Sequence, residues 1–338
     1  MLHIHKIAVL GSGAWGTALA HMLAGRHPCV MQWVREPEVE MELNEGHENT
    51  HFLPGISLHP GLIASCDPHK VLHNADVVVN VIPTQFIRST WLEIGVEYLP
   101  SEAIIVNASK GIEQETLCLV SQIFDELFPS WISARFCVLS GPSFAKEVAQ
   151  GLPTSVALAT PRESLGRDVA EAFHVPHFRL YTTLDLVGVQ LGGALKNVIA
   201  IAAGAVDGMK LGYNTRAAVI TRGLAEMARL GVHMGANTQT FFGLSGMGDL
   251  VLTTTGELSR NRTVGLRLGA GEPLDAILNN MTAVAEGVHT TRSAYALAQK
   301  YRVDMPITQA VHDGLYLSKK PQEALWSILA RALKADGV

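Results

Sequence analysis

Apolar positions follow two different rhythms along the chain, and the change between them falls near residue 184. Before it, short and nearly all-apolar runs alternate with longer mixed stretches. The runs are 6–10, 29–34, 76–82, 103–108, 136–139, 154–159 and 178–182. Runs this short predict strands, and 76–82 and 103–108, nearly all apolar, read as parallel strands buried on both faces. Helices are predicted over 36–46 and 111–128, with a looped excursion after the first that passes Pro54, Pro60 and Pro68. From Asp185 the strand pattern stops and helical periodicity takes over, through 185–206, 214–230, 260–268, 274–279, 290–300, 307–315 and 322–334. The expected class is α/β: a Rossmann-type doubly wound sheet over residues 1–184, then an all-helical domain over 185–338.

One helical run breaks its own pattern. Between Leu186 and Val206 only Gln190, Lys196 and Asn197 are strongly polar, so the segment must be buried in protein or lipid. A central ammonium and many Gly and Ala residues favour a buried helix over a membrane span. Burying an unpaired charge is expensive, so Lys196 needs partners or a lowered pKa. At helical spacing its neighbours are Gly192, Gly193, Ile199, Ala200 and Ala203. That strip admits the close approach of another helix or of a ligand. The plain alternative is a core lysine whose head reaches the surface.

Candidate chemistry gathers at strand ends. The first strand runs into Gly11-Ser12-Gly13-Ala14-Trp15-Gly16 and then a helix. This is the G-x-G-x-x-G turn in its proper context: one glycine for the turn, one for close approach of a pyrophosphate, one for helix–strand packing. Arg35 follows the second strand, where an acid would read a ribose hydroxyl. An arginine there suits a 2′-phosphate or stacks on adenine, so NADP(H) is expected beside NAD(H). Lys110 follows the strand 103–108, and Gly141, Ser143 and Ala145 follow the strand 136–139, with Ser143 a candidate cap of the next helix. In the helical half, Asp249 ends a glycine-rich turn that starts at Gly243. Ser259 suits an N-cap, with Arg260 and Asn261 beside free backbone N–H groups where an anion can sit. Glu286 is a first-turn acid.

Composition narrows the field. The chain has 338 residues, 48% hydrophobic and 17% charged, which suits two cores and a broad subunit interface. A formal net charge of -5 gives no basic field for nucleic acid. Four cysteines lack C-x-x-C spacing and fourteen histidines lack an H-E-x-x-H pattern, so no metal site is expected. The start carries no signal-peptide architecture, and the expectation is a soluble, cytoplasmic protein with free thiols.

The segments GSGAWG, ASKGIE, SGPSFAKEV, ALKNVIAI, NTRAAVITRGLAEM, GLSGMGDLVLT, SRNR and AEG occur in this order. In them the chain resembles the NAD(P)-dependent glycerol-3-phosphate dehydrogenases of bacterial type, from Ile7 to about Leu333. Thr254 departs from the family pattern, which has cysteine there. The resemblance implies reversible reduction of dihydroxyacetone phosphate to sn-glycerol 3-phosphate for glycerophospholipid synthesis. It implies Lys196 as general acid/base with Lys110 and Asp249 as polar partners. It implies substrate contacts at Lys110, Gly141, Ser143, Lys196, Asp249, Ser259, Arg260 and Asn261. Cofactor contacts would be Gly11, Gly13, Ala14, Trp15, Gly16, Arg35, Lys110, Ala145, Arg260, Val284 and Glu286. A homodimer through the helical domain is also implied. On that reading Gly192, Gly193 and Ala200 would leave room for a three-carbon phosphate. Two rivals stand beside it: a related two-domain β-hydroxyacid or ketopantoate reductase, and a nucleotide sensor without turnover.

Overall fold

The computed structural model describes residues 4–281 and 285–329. Its first unit holds residues up to Ser109 and the segment Val120–Leu186. The second holds Lys110–Leu119 and the chain from Val187 onward.

The first unit is built on an eight-stranded sheet: β1 (Lys6–Leu10), β2 (Cys29–Trp33), β3 (Leu62–Ser65), β4 (Val77–Asn80), β5 (Ile104–Asn107), β6 (Phe136–Ser140), β7 (Thr154–Ala159) and β8 (Phe178–Thr183). The order is β3-β2-β1-β4-β5-β6-β7-β8. Pairing is parallel throughout except between β6 and β7. The order in which successive strands are added reverses between β1 and β4, the switch point outside which open α/β sheets bind ligands. Ile7, Val9, Val77, Val79, Val106 and Leu139 fill the core around the sheet, each at most 1% exposed. β3 was expected to be loop. It is only four residues long, lies between Pro60 and Pro68, and is recognisable only by its parallel register on β2.

The second unit is helical. Its long helix Leu186–Gly208 is apolar enough to cross a membrane by composition, yet 83% of that apolar window is buried inside the protein. The glycines explain how it packs. A Cβ on Gly204 would lie 2.1 Å from Arg262 O, and one on Gly265 only 1.9 Å from Ile201 O. Helices Leu186–Gly208 and Arg260–Gly269 therefore meet backbone to backbone. Gly192 is used the same way: its Cβ would sit 2.5 Å from Ser245 O. The expectation that Gly192 leaves room for substrate is thereby corrected, because the turn before Asp249 fills that room.

The helix expected over 111–128 is confined to Val120–Leu127. Before it, Lys110–Leu119 is irregular, with Leu117 at φ 62. Ile112 and Leu119 lie in the core of the helical unit, and Ser293 Oγ donates to Ile112 O at 3.0 Å. Packing thus overrides helical propensity in that stretch. It also means that a single cut at 184/185 does not describe the two units. The predicted helix over 322–334 is seen as Pro321–Leu329, and its last residues lie outside the described part.

Candidate active site

In the helical unit, two lysines meet one aspartate. Lys196 comes from the middle of the long helix, and Lys110 from the irregular segment that follows β5. Asp249 is the first residue of the helix Asp249–Thr255, entered from the tight turn Leu244–Gly248. Lys110 Nζ lies 2.6 Å from Asp249 Oδ2 and Lys196 Nζ lies 3.0 Å from Oδ1, so each oxygen holds one ammonium. Asp249 is 1% exposed and Lys196 8%. Charges this deeply buried persist only when paired and hydrogen-bonded.

Thr253 completes the set, one helical turn after Asp249. Its hydroxyl accepts from Lys196 Nζ at 2.7 Å and donates to the Asp249 carbonyl oxygen at 2.7 Å. Sequence reasoning passed over Thr253. The i, i+4 spacing from Asp249 was the available signal.

Burial and charge compete on these groups. Burial lowers the Lys196 ammonium, the Asp249 carboxylate opposes that, and Lys110 adds to it. Asp249 hydrogen bonding and the charge of Glu286 pull back, and the result is a pKa lowered to about 8. Burial alone would raise Asp249. The two ammonium groups overcome it and hold the carboxyl below its ordinary range. A neutral-range amine hydrogen-bonded to a fixed carboxylate can give or take a proton near physiological pH.

Around this centre the other expected residues take definite places. Ser259 caps the helix Arg260–Gly269, accepting from Arg262 N at 3.2 Å. Arg260 is exposed at the first position of that helix. Asn261 is committed on both sides of its amide: Nδ2 donates to Asn197 Oδ1 at 2.8 Å and Oδ1 accepts from Gly287 N at 3.0 Å. Glu286 opens the helix Glu286–Tyr301, as a first-turn acid should. Val284 lies outside the described residues.

In the sheet unit, the glycine turn has the shape a dinucleotide needs. Gly11 sits at φ 122, and a Cβ there would lie 2.9 Å from Val81 O. A Cβ on Gly16 would lie 2.2 Å from Gly11 O. Around Gly13, by contrast, a Cβ would meet nothing within 4 Å, so this backbone is open to an approaching phosphate. No side chain caps the helix Ala14–Ala24, which leaves its N-terminal amides and positive dipole end for an anion. Trp15 Nε1 is buried without a hydrogen-bond partner. These residues fit a bound dinucleotide. Arg35 is exposed just past β2, and Ala145 begins the short helix Ala145–Ala149.

Ser143 does not cap that helix. Phe144 occupies the cap position, and the Ser143 hydroxyl turns back to donate to Gly141 O at 3.0 Å. Gly141 itself sits at φ 150, where a Cβ would lie 2.9 Å from Val156 Cα.

A profile for the NAD-dependent glycerol-3-phosphate dehydrogenase N-terminus matches residues 6–166, and one for the C-terminus of the same family matches residues 185–326. The chain belongs to the NAD-dependent glycerol-3-phosphate dehydrogenases. A relative from Geobacter sp. (strain M21), named glycerol-3-phosphate dehydrogenase [NAD(P)+], is 52% identical over 98% of this chain and 99% of its own. One from Leptospira biflexa with the same name is 48% identical over 98% of this chain and all of its own. The crystal structure of a glycerol-3-phosphate dehydrogenase from Coxiella burnetii superposes with a TM-score of 0.90 at 37% identity, covering 97% of this chain and 99% of that one. A D-mandelate dehydrogenase matches at 13% identity and a TM-score of 0.62, over 95% of this chain and 99% of that one, which shows a shared fold only. The family position agrees with the α/β class and with a nucleotide-binding sheet domain followed by a helical one.

Proposed function

We propose that this glycerol-3-phosphate dehydrogenase reduces dihydroxyacetone phosphate to sn-glycerol 3-phosphate, reversibly, with NADPH or NADH, and that Lys196 is its general acid/base. The observation that carries the reading is the buried Lys110–Asp249–Lys196 cluster, a charged group that a helical core does not need for stability.

The glycine turn and the open N-terminus of helix Ala14–Ala24 would hold the pyrophosphate, and Arg35 would meet a 2′-phosphate or stack on adenine. When bound, the nicotinamide supplies the hydride; the protonic work falls to this chain's own residues. As a ketone carbon is reduced, negative charge grows on its oxygen. The Lys196 ammonium stabilises that charge and delivers Nζ–H to it. In the reverse direction neutral Lys196 removes the hydroxyl proton. Asp249 holds both ammonium groups in place, and Thr253 fixes the direction of Lys196 Nζ through its own short hydrogen bonds. Arg260, beside the start of helix Arg260–Gly269, is suited to the substrate phosphate, with Ser259 and Asn261 shaping the turn around it. We further propose a homodimer working in the cytoplasm to supply glycerophospholipid synthesis.

The deciding assay follows NADPH absorbance with dihydroxyacetone phosphate, with ketopantoate and with no keto substrate. Consumption with dihydroxyacetone phosphate alone is expected. Turnover only with ketopantoate would move the protein to the reductase alternative, and tight NADPH binding without turnover on either would make it a sensor.

A further inference from the structure

Three polar side chains in the sheet unit are buried together behind the glycine turn, and the reaction chemistry uses none of them directly. Thr17, Gln32 and Asn49 are 0% exposed. Gln32 Nε2 donates to Gly11 O at 2.9 Å and to Thr17 Oγ1 at 3.2 Å. Asn49 Nδ2 donates to Ser12 O at 2.9 Å and to Thr17 Oγ1 at 2.9 Å. The Thr17 hydroxyl accepts from both amides and donates to Ser12 O at 3.2 Å, which exhausts its capacity. Asn49 is itself fixed, its Oδ1 accepting from Phe52 N at 3.0 Å.

The direction of these bonds is informative. Both amides donate, and both reach carbonyl oxygens of the turn. A peptide whose carbonyl is tied inward cannot rotate that oxygen toward a bound anion, so its negative end is kept away from the phosphate side. The bonds are also neutral, so they order the turn without adding charge near the phosphates.

Gln32 supplies an independent argument. Its Oε1 is buried without a partner. An orphaned carbonyl in a sheet core offsets part of what the two donated bonds contribute to stability. The amide is therefore matched on its donor side to the turn, and its other side meets nothing in the strand core.

We infer that Gln32 and Asn49, bridged by Thr17, are positioning residues that hold the glycine turn with its carbonyls withdrawn and thereby set its affinity for the pyrophosphate of the cofactor. Asn49 does this from well outside the strand–turn–helix motif. The inference rests on the cofactor reading given above.

The test compares wild type with Gln32→Met, Thr17→Val and Asn49→Ala. Ligand affinity is measured by calorimetry for NADPH, for 2′-phospho-ADP-ribose, which carries the pyrophosphate, and for 2′-AMP, which lacks it. Thermal stability is measured without ligand. Each variant should weaken NADPH and 2′-phospho-ADP-ribose about tenfold, the worth of one or two neutral hydrogen bonds. Affinity for 2′-AMP should stay at the wild-type value. Thermal melts separate a folding loss from the affinity loss: Gln32→Met, which leaves Gly11 O without its donor, should remain folded at the temperature of the binding assay. Unchanged NADPH affinity in folded Gln32→Met overturns the inference, as does an equal loss for 2′-AMP. If Asn49→Ala does not fold, the other two variants decide. A wild-type protein that binds no NADPH would instead refute the underlying cofactor reading.

Discussion

Two carboxylates of the helical unit are equally buried and behave in opposite ways. Asp249 and Glu226 are each 1% exposed. Asp249 faces two ammonium groups and lies below the ordinary carboxylate range. Glu226 faces the start of helix Pro306–Tyr316. Its Oε1 accepts from Ile307 N at 2.6 Å, and its Oε2 accepts from Thr308 N and Thr308 Oγ1, each at 3.0 Å. Those donors and Arg229 favour the anion, but burial outweighs them and the acid is pushed up to about 7. Full opposite charges can defeat desolvation where hydrogen-bond donors do not. The two sites also differ in purpose. Glu226 joins helix Gly212–His233 to a helix whose own cap residue, Met305, offers no side-chain acceptor. Asp249 ties no helix start from a distance; it holds the two ammonium groups of Lys110 and Lys196.

The comparison can be broken from several sides. The largest effect is expected for Lys196→Ala: kcat should fall by about two orders of magnitude or more while cofactor affinity persists, measured by steady-state kinetics and calorimetry. A kcat near wild type would reduce the cluster to a structural role like that of Glu226. Next comes Asp249→Asn. Without that counter-charge, burial and Lys110 outweigh Glu286 further, and the limb on which kcat/KM for reduction falls above about pH 8 should move acidward by about one unit or more. A limb that stays put would separate Asp249 from the proton chemistry. Arg260→Ala should raise KM for the phosphorylated substrate about tenfold with a smaller change in kcat, the signature of a lost charge-assisted contact.

Glu226→Ala should show the converse pattern. Two backbone N–H groups lose their acceptor, so stability should drop by about 3 kcal/mol in urea titrations, while kcat stays within about twofold. The smallest effect lies in pH. A carboxyl whose folded pKa is raised stabilises the fold fully below its ordinary 4.5 and loses that contribution as pH climbs to about 7. Lys196 runs the other way: its lowered pKa gives a contribution present above 10.5 and lost as pH falls through about 8. Glu226→Gln should therefore flatten the decline in stability between pH 4.5 and 7 and leave the alkaline side unaltered, as followed by thermal melts across that range.

The charged centre was legible in the sequence because charge is conspicuous against its surroundings. Lys196 in an apolar helix, Lys110 after a strand and Asp249 on a glycine turn each violate their local pattern. Neutral participants leave fainter traces. Thr253 is an ordinary helix residue until its turn-mate Asp249 is known. Gln32 is one polar position in the strand Cys29–Trp33, and Asn49 lies in a polar stretch that reads as loop. The strand Leu62–Ser65 was missed because it is part-exposed and set in a polar, proline-bounded stretch, whereas the equally short Val77–Asn80 and Ile104–Asn107 are buried throughout. The irregular course of Lys110–Leu119 was missed because Ile112 and Leu119 answer to a core assembled from residues far along the chain. The sequence also pointed to Gly192 as open space. Its lack of a side chain is used by the backbone of Ser245 instead.

That irregular segment bears on how the protein can be taken apart. The chain leaves the sheet unit at Lys110, returns at Val120, and leaves again at Val187. A fragment beginning at 185 would contain every helix of the second unit and still lack Ile112, Leu119 and the lysine that neutralises Asp249 Oδ2. During synthesis, residues 110–119 emerge long before the helices that enclose them, so they must wait while β6 to β8 are made. The ten-residue loan makes the two units one indivisible product of translation: neither a nick nor a gene split near 185 should yield an active half.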